Sequence, residues 1–307
     1  MVGFFTRLPV PKVEFTEERY RRAVKLLPLV GLALGVILVL VSAIGFVAPP
    51  LVRGAVLVCA YIFLSGGLHF DGLADTCDGV FSGRSREQSL EIMKDSRIGV
   101  FGTLGIFMAG LSYFALFTAA PVPALLVFPV CGRACCLLSA SLAPYARADG
   151  MGKATGLASG PVAIASAAAS LVCASFLTIP LALLADRLSG AAGVAAVPDA
   201  VAVAARAAGV AGAGATGVVA RAASSVPQTV PFGIGTDGSF VTVVLCSLIA
   251  AAAAVLVTVF MTARLKAKLG GVTGDTFGAV IEVASIVYLF TFGVAGQVLP
   301  GIIFSTV

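Results

Sequence analysis

Seven stretches of this chain, at approximately 27–47, 51–68, 98–119, 123–142, 158–185, 240–262 and 278–298, are each long and apolar enough to cross a lipid bilayer as a helix. Within hydrocarbon only helices and closed barrels satisfy their own backbone hydrogen bonds. Runs of this length without strict alternation select the helix, so the expected fold class is all-α: a polytopic integral membrane protein of about seven transmembrane helices. Composition points the same way. Apolar residues make up 59% of the chain, charged residues only 11%, and the mean hydropathy is +1.06, whereas soluble domains carry about 25% charged residues. A soluble fold with this content would expose large apolar patches.

The opening MVGFFTRLPVPKVEFTEERYRRAVK is charged and carries two prolines, unlike a cleaved signal peptide. Six of the seven cysteines lie in apolar runs, where cysteine acts as a small hydrophobe. Cys131 and Cys135 share a helix face but have no histidine or acid beside them, so neither a metal site nor a disulfide is expected there. Short proline turns, Pro49-Pro50 and Pro121-Val122-Pro123, suit antiparallel hairpins between neighbouring spans.

With seven spans, the loops 1–26, 69–97, 143–157 and 263–277 fall on one side and hold 15 of the 20 Lys and Arg residues. The positive-inside rule assigns that side to the cytoplasm. The expected location is therefore the cell (inner, cytoplasmic) membrane, with the catalytic loops on the cytoplasmic face. The net charge of +5 follows from this distribution and needs no nucleic acid. Residues 186–238 are a low-complexity Ala/Gly/Val insert, expected to be non-catalytic within an otherwise single membrane-embedded domain spanning 1–307.

The chemistry concentrates in GGLHFDGLADTCDGVFSG, residues 66–83. The stretch holds His69, the chain's one histidine, and Asp71, Asp75 and Asp78 at i, i+4 and i+7, within about 60° of one helix face. Carboxylates so close repel one another. A divalent cation removes the repulsion, and hard oxygen donors suit Mg²⁺, which completes its shell with water and phosphate oxygens. An acidic cluster at a membrane surface thus reads as a pyrophosphate-handling site, against the plainer reading of a solvated acidic loop. Ser85 and Gln88 match a capping box for a helix over about 86–96. That helix would bring back Asp95 as a further metal ligand and Lys94 and Arg97 as phosphate contacts. Glu87 and Glu91 read better as a solvated face. His69 is either a base or ligand, or a hydrogen-bonded structural residue.

Two further loops combine glycines with charge. APYARADGMGKATG (143–156) offers Arg147 and Lys153, and ARLKAKLGGVTGDTFG (263–278) offers Thr273 and Asp275. Glycines let backbone N–H groups approach an anion. Arg133 lies inside the fourth span, where a charge is a functional hypothesis by default, with snorkelling as the alternative.

Taken together, the 66–83 stretch and the following SREQSLEIMKDSRIGVFG closely resemble the signature of the cobalamin synthase family, adenosylcobinamide-GDP ribazoletransferases. FFTRLPVPK (4–12), APYARADGMGKATG and LGGVTGDTFGA fit the same family. Cys77 stands where the family would have a small residue such as alanine, and the 186–238 insert is longer than the family would have. The resemblance implies transfer of the phospho-cobinamide part of adenosylcobinamide-GDP to the ribose 3′-hydroxyl of α-ribazole, or of its 5′-phosphate, with release of GMP. It also implies Mg²⁺ on Asp71, Asp75, Asp78 and Asp95, and catalytic roles among Asp71, Asp75 and His69. Lys94, Arg97, Arg133, Arg147, Lys153, Thr273 and Asp275 would contact substrate, Asp275 with Thr273 either binding the ribazole sugar or completing the metal site. Association with other cobalamin-assembly enzymes is left open.

Two rival classes fit less well. A CDP-alcohol phosphotransferase would continue Asp71-Gly72 with an Ala-Arg pair, where this chain has Leu-Ala-Asp-Thr. A transporter would place ionisable residues at mid-bilayer on several spans, and only Arg133 and Glu282 come near that.

Overall fold

The computed structural model describes residues 2–11, 16–44, 48–147 and 239–304, with a few isolated positions between 160 and 176. Among them the fold is helical throughout. In chain order the helices are α1 (Val2–Phe5), α2 (Glu17–Ala23), α3 (Leu27–Ile44), α4 (Pro50–Ser65), α5 (Leu68–Phe81), α6 (Arg86–Ile92), α7 (Val100–Ala119), α8 (Val122–Leu142), α9 (Ser239–Leu269) and α10 (Gly274–Phe304). Five helices, counting α2 and α3 as the one run Glu18–Ser42, are long and apolar enough to cross a membrane. The chain is a multi-pass membrane protein. The expected span at 158–185 and the 186–238 insert lie outside the described residues, apart from those isolated positions.

The second expected span, 51–68, takes a different form. Its helix α4 stops at Ser65 and α5 leaves it at 88°. The elbow is Gly66-Gly67, both in the left-handed region with φ of +66° and +71°, where a Cβ is penalised. The acidic stretch, expected as a helix within a cytoplasmic segment, is the helix α5, which bends away from α4 and packs against α7 and α10. Three carboxylates on α5 would be costly in hydrocarbon, so we read α5 as lying at the membrane face. The last expected loop is also shorter than 263–277. Lys266 and Lys268 form the end of α9, and only residues 270–273 separate it from α10.

At the centre of the bundle stands α8, almost wholly buried, against α3, α9 and α10, while α4 packs on α7. An aromatic layer of Tyr61, Tyr113, Phe117 and Phe128, with ring centroids 5.1–6.4 Å apart, ties α4, α7 and α8 together. Within lipid, such packing and hydrogen bonding drive association, because tails are as apolar as Leu. The outward side of α7, with Phe101, Leu104, Phe107, Met108 and Leu111, is exposed in the way a lipid-facing side would be.

At the end of the bundle away from α5, Arg53 closes α7. Its guanidinium donates to the carbonyls of Phe117 (3.2 Å), Thr118 (3.4 Å) and Ala120 (2.8 Å) and to Ser42 Oγ (2.9 Å). These are carbonyls that the helix end leaves open. Arg53→Met should lower the thermal midpoint of the detergent-solubilised protein by about 4–8 °C, as expected for about 2 kcal/mol. Activity per folded molecule should be unchanged, which a melting curve beside an activity assay on the monodisperse fraction checks.

Candidate active site

The site is built where α5 crosses the start of α10. A Cβ on Gly72 would lie 2.6 Å from the Asp275 carbonyl oxygen, and one on Gly278 would lie 2.9 Å from the His69 carbonyl oxygen and 3.3 Å from Gly72 Cα. The two backbones touch because both positions are glycine. This crossing carries Asp71 and Asp75, one turn apart on α5, to the first turn of α10, where Asp275 sits.

Asp71 is exposed and Asp75 half-buried. Burial raises the Asp75 carboxyl to about 7, and the nearby Asp275 and Asp71 carboxylates push the same way. Three acids within electrostatic reach of one another thus come from two helices. Arg147 partly offsets them: its Nη2 makes a 2.8 Å ion pair with Asp275 Oδ2 and donates to the Met93 carbonyl at 3.4 Å. Its Nε is buried and has no partner. Thr273 Oγ1 donates to Asp275 Oδ2 at 3.4 Å. The loop carrying Arg147 is held in place by backbone hydrogen bonds, Val272 N–H to the Pro144 carbonyl (2.9 Å) and Ala146 N–H to the Val272 carbonyl (2.8 Å).

Of the sequence-predicted residues, this assembly brings together Asp71, Asp75, Arg147, Thr273 and Asp275. Asp78 is turned elsewhere. Its Oδ2 accepts from Gly99 N–H (2.7 Å) and its Oδ1 from Gly102 N–H (2.9 Å). It therefore satisfies the open amides at the start of α7, where a negative charge also suits the helix dipole. Asp78→Ala should cost about 1–2 kcal/mol and lower the thermal midpoint of the solubilised protein. An unchanged midpoint would mean the α7 amides find other partners.

Asp95 pairs with Arg97, Nη2 to Oδ2 at 2.6 Å, and this partner holds its carboxyl down at about 2. Both lie in the loop between α6 and α7, and Lys94 beside them is exposed. His69 is 2% exposed, its ring 6.0 Å from that of Phe5, and its Nε2 has no partner. Burial, with Arg133 adding to it, moves its pKa well below the usual value. Arg133 is fully buried in α8. Neither side chain is open to solvent. Lys153 lies outside the described residues.

Two contacts escaped the sequence reading. Arg86 Nε donates to the Leu269 carbonyl (2.7 Å) and its Nη2 to the Ala146 carbonyl (3.4 Å), while Lys268 Nζ donates to the Arg84 carbonyl (2.7 Å). Together they fasten the start of α6 to the α9–α10 turn. The glycine pair Gly270-Gly271, one member at φ +76°, was the available signal that another segment comes close there.

Among the described residues no three His, Cys, Asp or Glu side chains converge into a complete metal cage. Mg²⁺ uses one or two protein carboxylates and fills its shell with water and phosphate oxygens, and the oxygen donors of Asp71, Asp75 and Asp275 are of that kind. A carboxyl raised to about 7 by burial, with neighbouring acids pushing the same way, fits a place where a cation belongs.

The family model described as cobalamin-5-phosphate synthase matches residues 1–226 and 193–293, two stretches that overlap inside the Ala/Gly/Val insert. Three relatives named adenosylcobinamide-GDP ribazoletransferase are similar to this chain. One from Acetivibrio thermocellus is 48% identical over 160 residues, half of this chain and 64% of that protein. Another, from Fusobacterium nucleatum, is 29% identical over 309 residues and 95% of each chain. A third, from Roseiflexus, is 33% identical over 299 residues, 94% of this chain and 85% of that protein. No solved structure matches. By the extent of these matches and the α5 motif they meet, the chain belongs to the cobalamin-5-phosphate synthase family.

Proposed function

We propose that this protein is an adenosylcobinamide-GDP ribazoletransferase. It transfers the phospho-cobinamide part of adenosylcobinamide-GDP to α-ribazole or its 5′-phosphate and releases GMP. The observation that carries this reading is the carboxylate group Asp71, Asp75 and Asp275 at the α5–α10 crossing, in a chain of this family. Phosphoryl transfer asks a protein mainly for positioning and charge neutralisation. Mg²⁺ held by Asp71 and Asp75, with Asp275 alongside, would neutralise the pyrophosphate oxygens and the departing GMP.

The remaining work falls to the chain's own residues. Arg147, 16% exposed and ion-paired with Asp275, would contact a phosphate oxygen. Asp75, at the centre of the carboxylate group, would take the proton from the attacking ribose hydroxyl. It fits that role better than His69, which is sealed from solvent. Lys94 and Arg97, in the exposed segment after Met93 whose carbonyl Arg147 contacts, would add phosphate contacts, and so would Lys153. The 15 Lys and Arg residues on the loop side support a cytoplasmic face for the site and a cytoplasmic-membrane location. The insert at 186–238 takes no part, and one membrane-embedded domain carries the activity.

Purified protein should release GMP from adenosylcobinamide-GDP only when α-ribazole or its phosphate and Mg²⁺ are both present, with one cobalamin product formed per GMP. GMP release that ignores the riboside would refute the transfer reaction.

A further inference from the structure

Arg133 on α8 and Glu282 on α10 are the one basic Lys/Arg side chain and the one acid that are fully buried among the described residues. Each stands beside the contact that joins their two helices. A Cβ on Gly132 would overlap Ser285 Oγ and lie 2.8 Å from the Ile281 carbonyl oxygen, and Ser285 Oγ donates to the Phe128 carbonyl at 3.4 Å. Glu282 accepts from Tyr61 Oη (3.0 Å) and Tyr113 Oη (2.6 Å). Arg133 donates through Nη1 to the Pro129 carbonyl at 3.0 Å, while its Nε and Nη2 are buried without partners.

An isolated charge in so dry an interior is expensive, whereas opposite charges in one cavity offset each other. The two groups lie within electrostatic reach but form no direct ion pair within 4.0 Å. Guanidinium nitrogens buried without protein partners near a buried carboxylate are the setting in which buried water is found. One turn before Glu282 on α10 is Gly278, the residue on which α5 rests.

We infer that Arg133 and Glu282 form one water-bridged charge couple that locks α8 to α10 beneath the α5 crossing and so positions Asp71 and Asp75 against Asp275. The catalytic half of this inference rests on the proposed function; the coupling does not. Its test is a double-mutant cycle on the full chain in detergent, with Arg133→Met, Glu282→Gln and both together.

Each single variant leaves the other charge buried alone and should lower the unfolding midpoint by about 6 °C or more. The double variant should fall less than the sum of the two. A double variant whose loss equals that sum overturns the couple. If a single variant yields no folded protein, Arg133→Lys and Glu282→Asp run the same cycle. The positioning half is read as the half-saturating Mg²⁺ for activity per folded molecule. It should rise about tenfold or more in the single variants and return toward wild type in the double; singles with a wild-type Mg²⁺ requirement overturn that half. Absence of any transferase activity would overturn the proposed function while leaving the melting cycle readable.

Discussion

Replacing Asp75 by Asn should reduce transferase activity by about 10³-fold or more while the protein still inserts and purifies normally. Asn keeps the size of the side chain, so the half-buried position on α5 remains filled. What disappears is the negative charge. Asp75 sits among Asp71, Asp275 and Arg147, and its carboxyl is pushed up to about 7 by burial and the neighbouring acids. A cation bound at the crossing would restore its ionised form, and an amide can neither hold that cation as tightly nor take a proton. Asp71→Asn should behave similarly. Near wild-type turnover in either variant, measured as GMP release, would remove the carboxylate site from the mechanism.

Gly72→Ala should lower turnover by about 100-fold without touching any charged group. The new methyl would lie 2.6 Å from the Asp275 carbonyl oxygen and 3.1 Å from its Cα, so α5 and α10 must separate. The neighbour is backbone rather than a movable side chain, and the displacement passes directly to Asp71 and Asp75. Gly110→Ala, on α7 with open space around it, is the matched control and should keep full activity. If Gly72→Ala retains wild-type turnover, the site does not depend on the close crossing of the two helices.

Much of this architecture is written locally in the chain. Apolar runs marked the spans expected at 98–119 and 123–142 to within two residues, and proline turns marked two junctions. The Ser85–Gln88 capping box formed as its sequence implied. Asp71, Asp75 and Asp275 were all legible as acids with a purpose. The geometry that groups them was not, because it depends on an 88° bend at Gly66-Gly67 and on two glycines meeting across 206 positions of chain, from Gly72 to Gly278. Periodicity can say that a helix is amphipathic, but it does not say which way the helix turns after an elbow.

Asp78 shows the same limit from the other side. Its spacing puts it on the face of Asp71 and Asp75, yet α7 begins alongside and its open amides take the carboxylate. Arg133 and Glu282 were visible as charges out of place in apolar spans. Only packing revealed that they lie beside one helix contact. Arg53, which no motif in the sequence marks, closes the end of α7.

The central claim is that carboxylates from α5 and α10 make one cation site. Mn²⁺ binding in place of Mg²⁺, followed by electron paramagnetic resonance on the purified protein, tests it without relying on turnover. Wild type should bind Mn²⁺ saturably and in competition with Mg²⁺. Asp71→Asn, Asp75→Asn and Asp275→Asn should each weaken binding by about tenfold or more, and Asp95→Asn should not. Binding that is lost in Asp95→Asn and kept in the variants at the crossing would contradict the account.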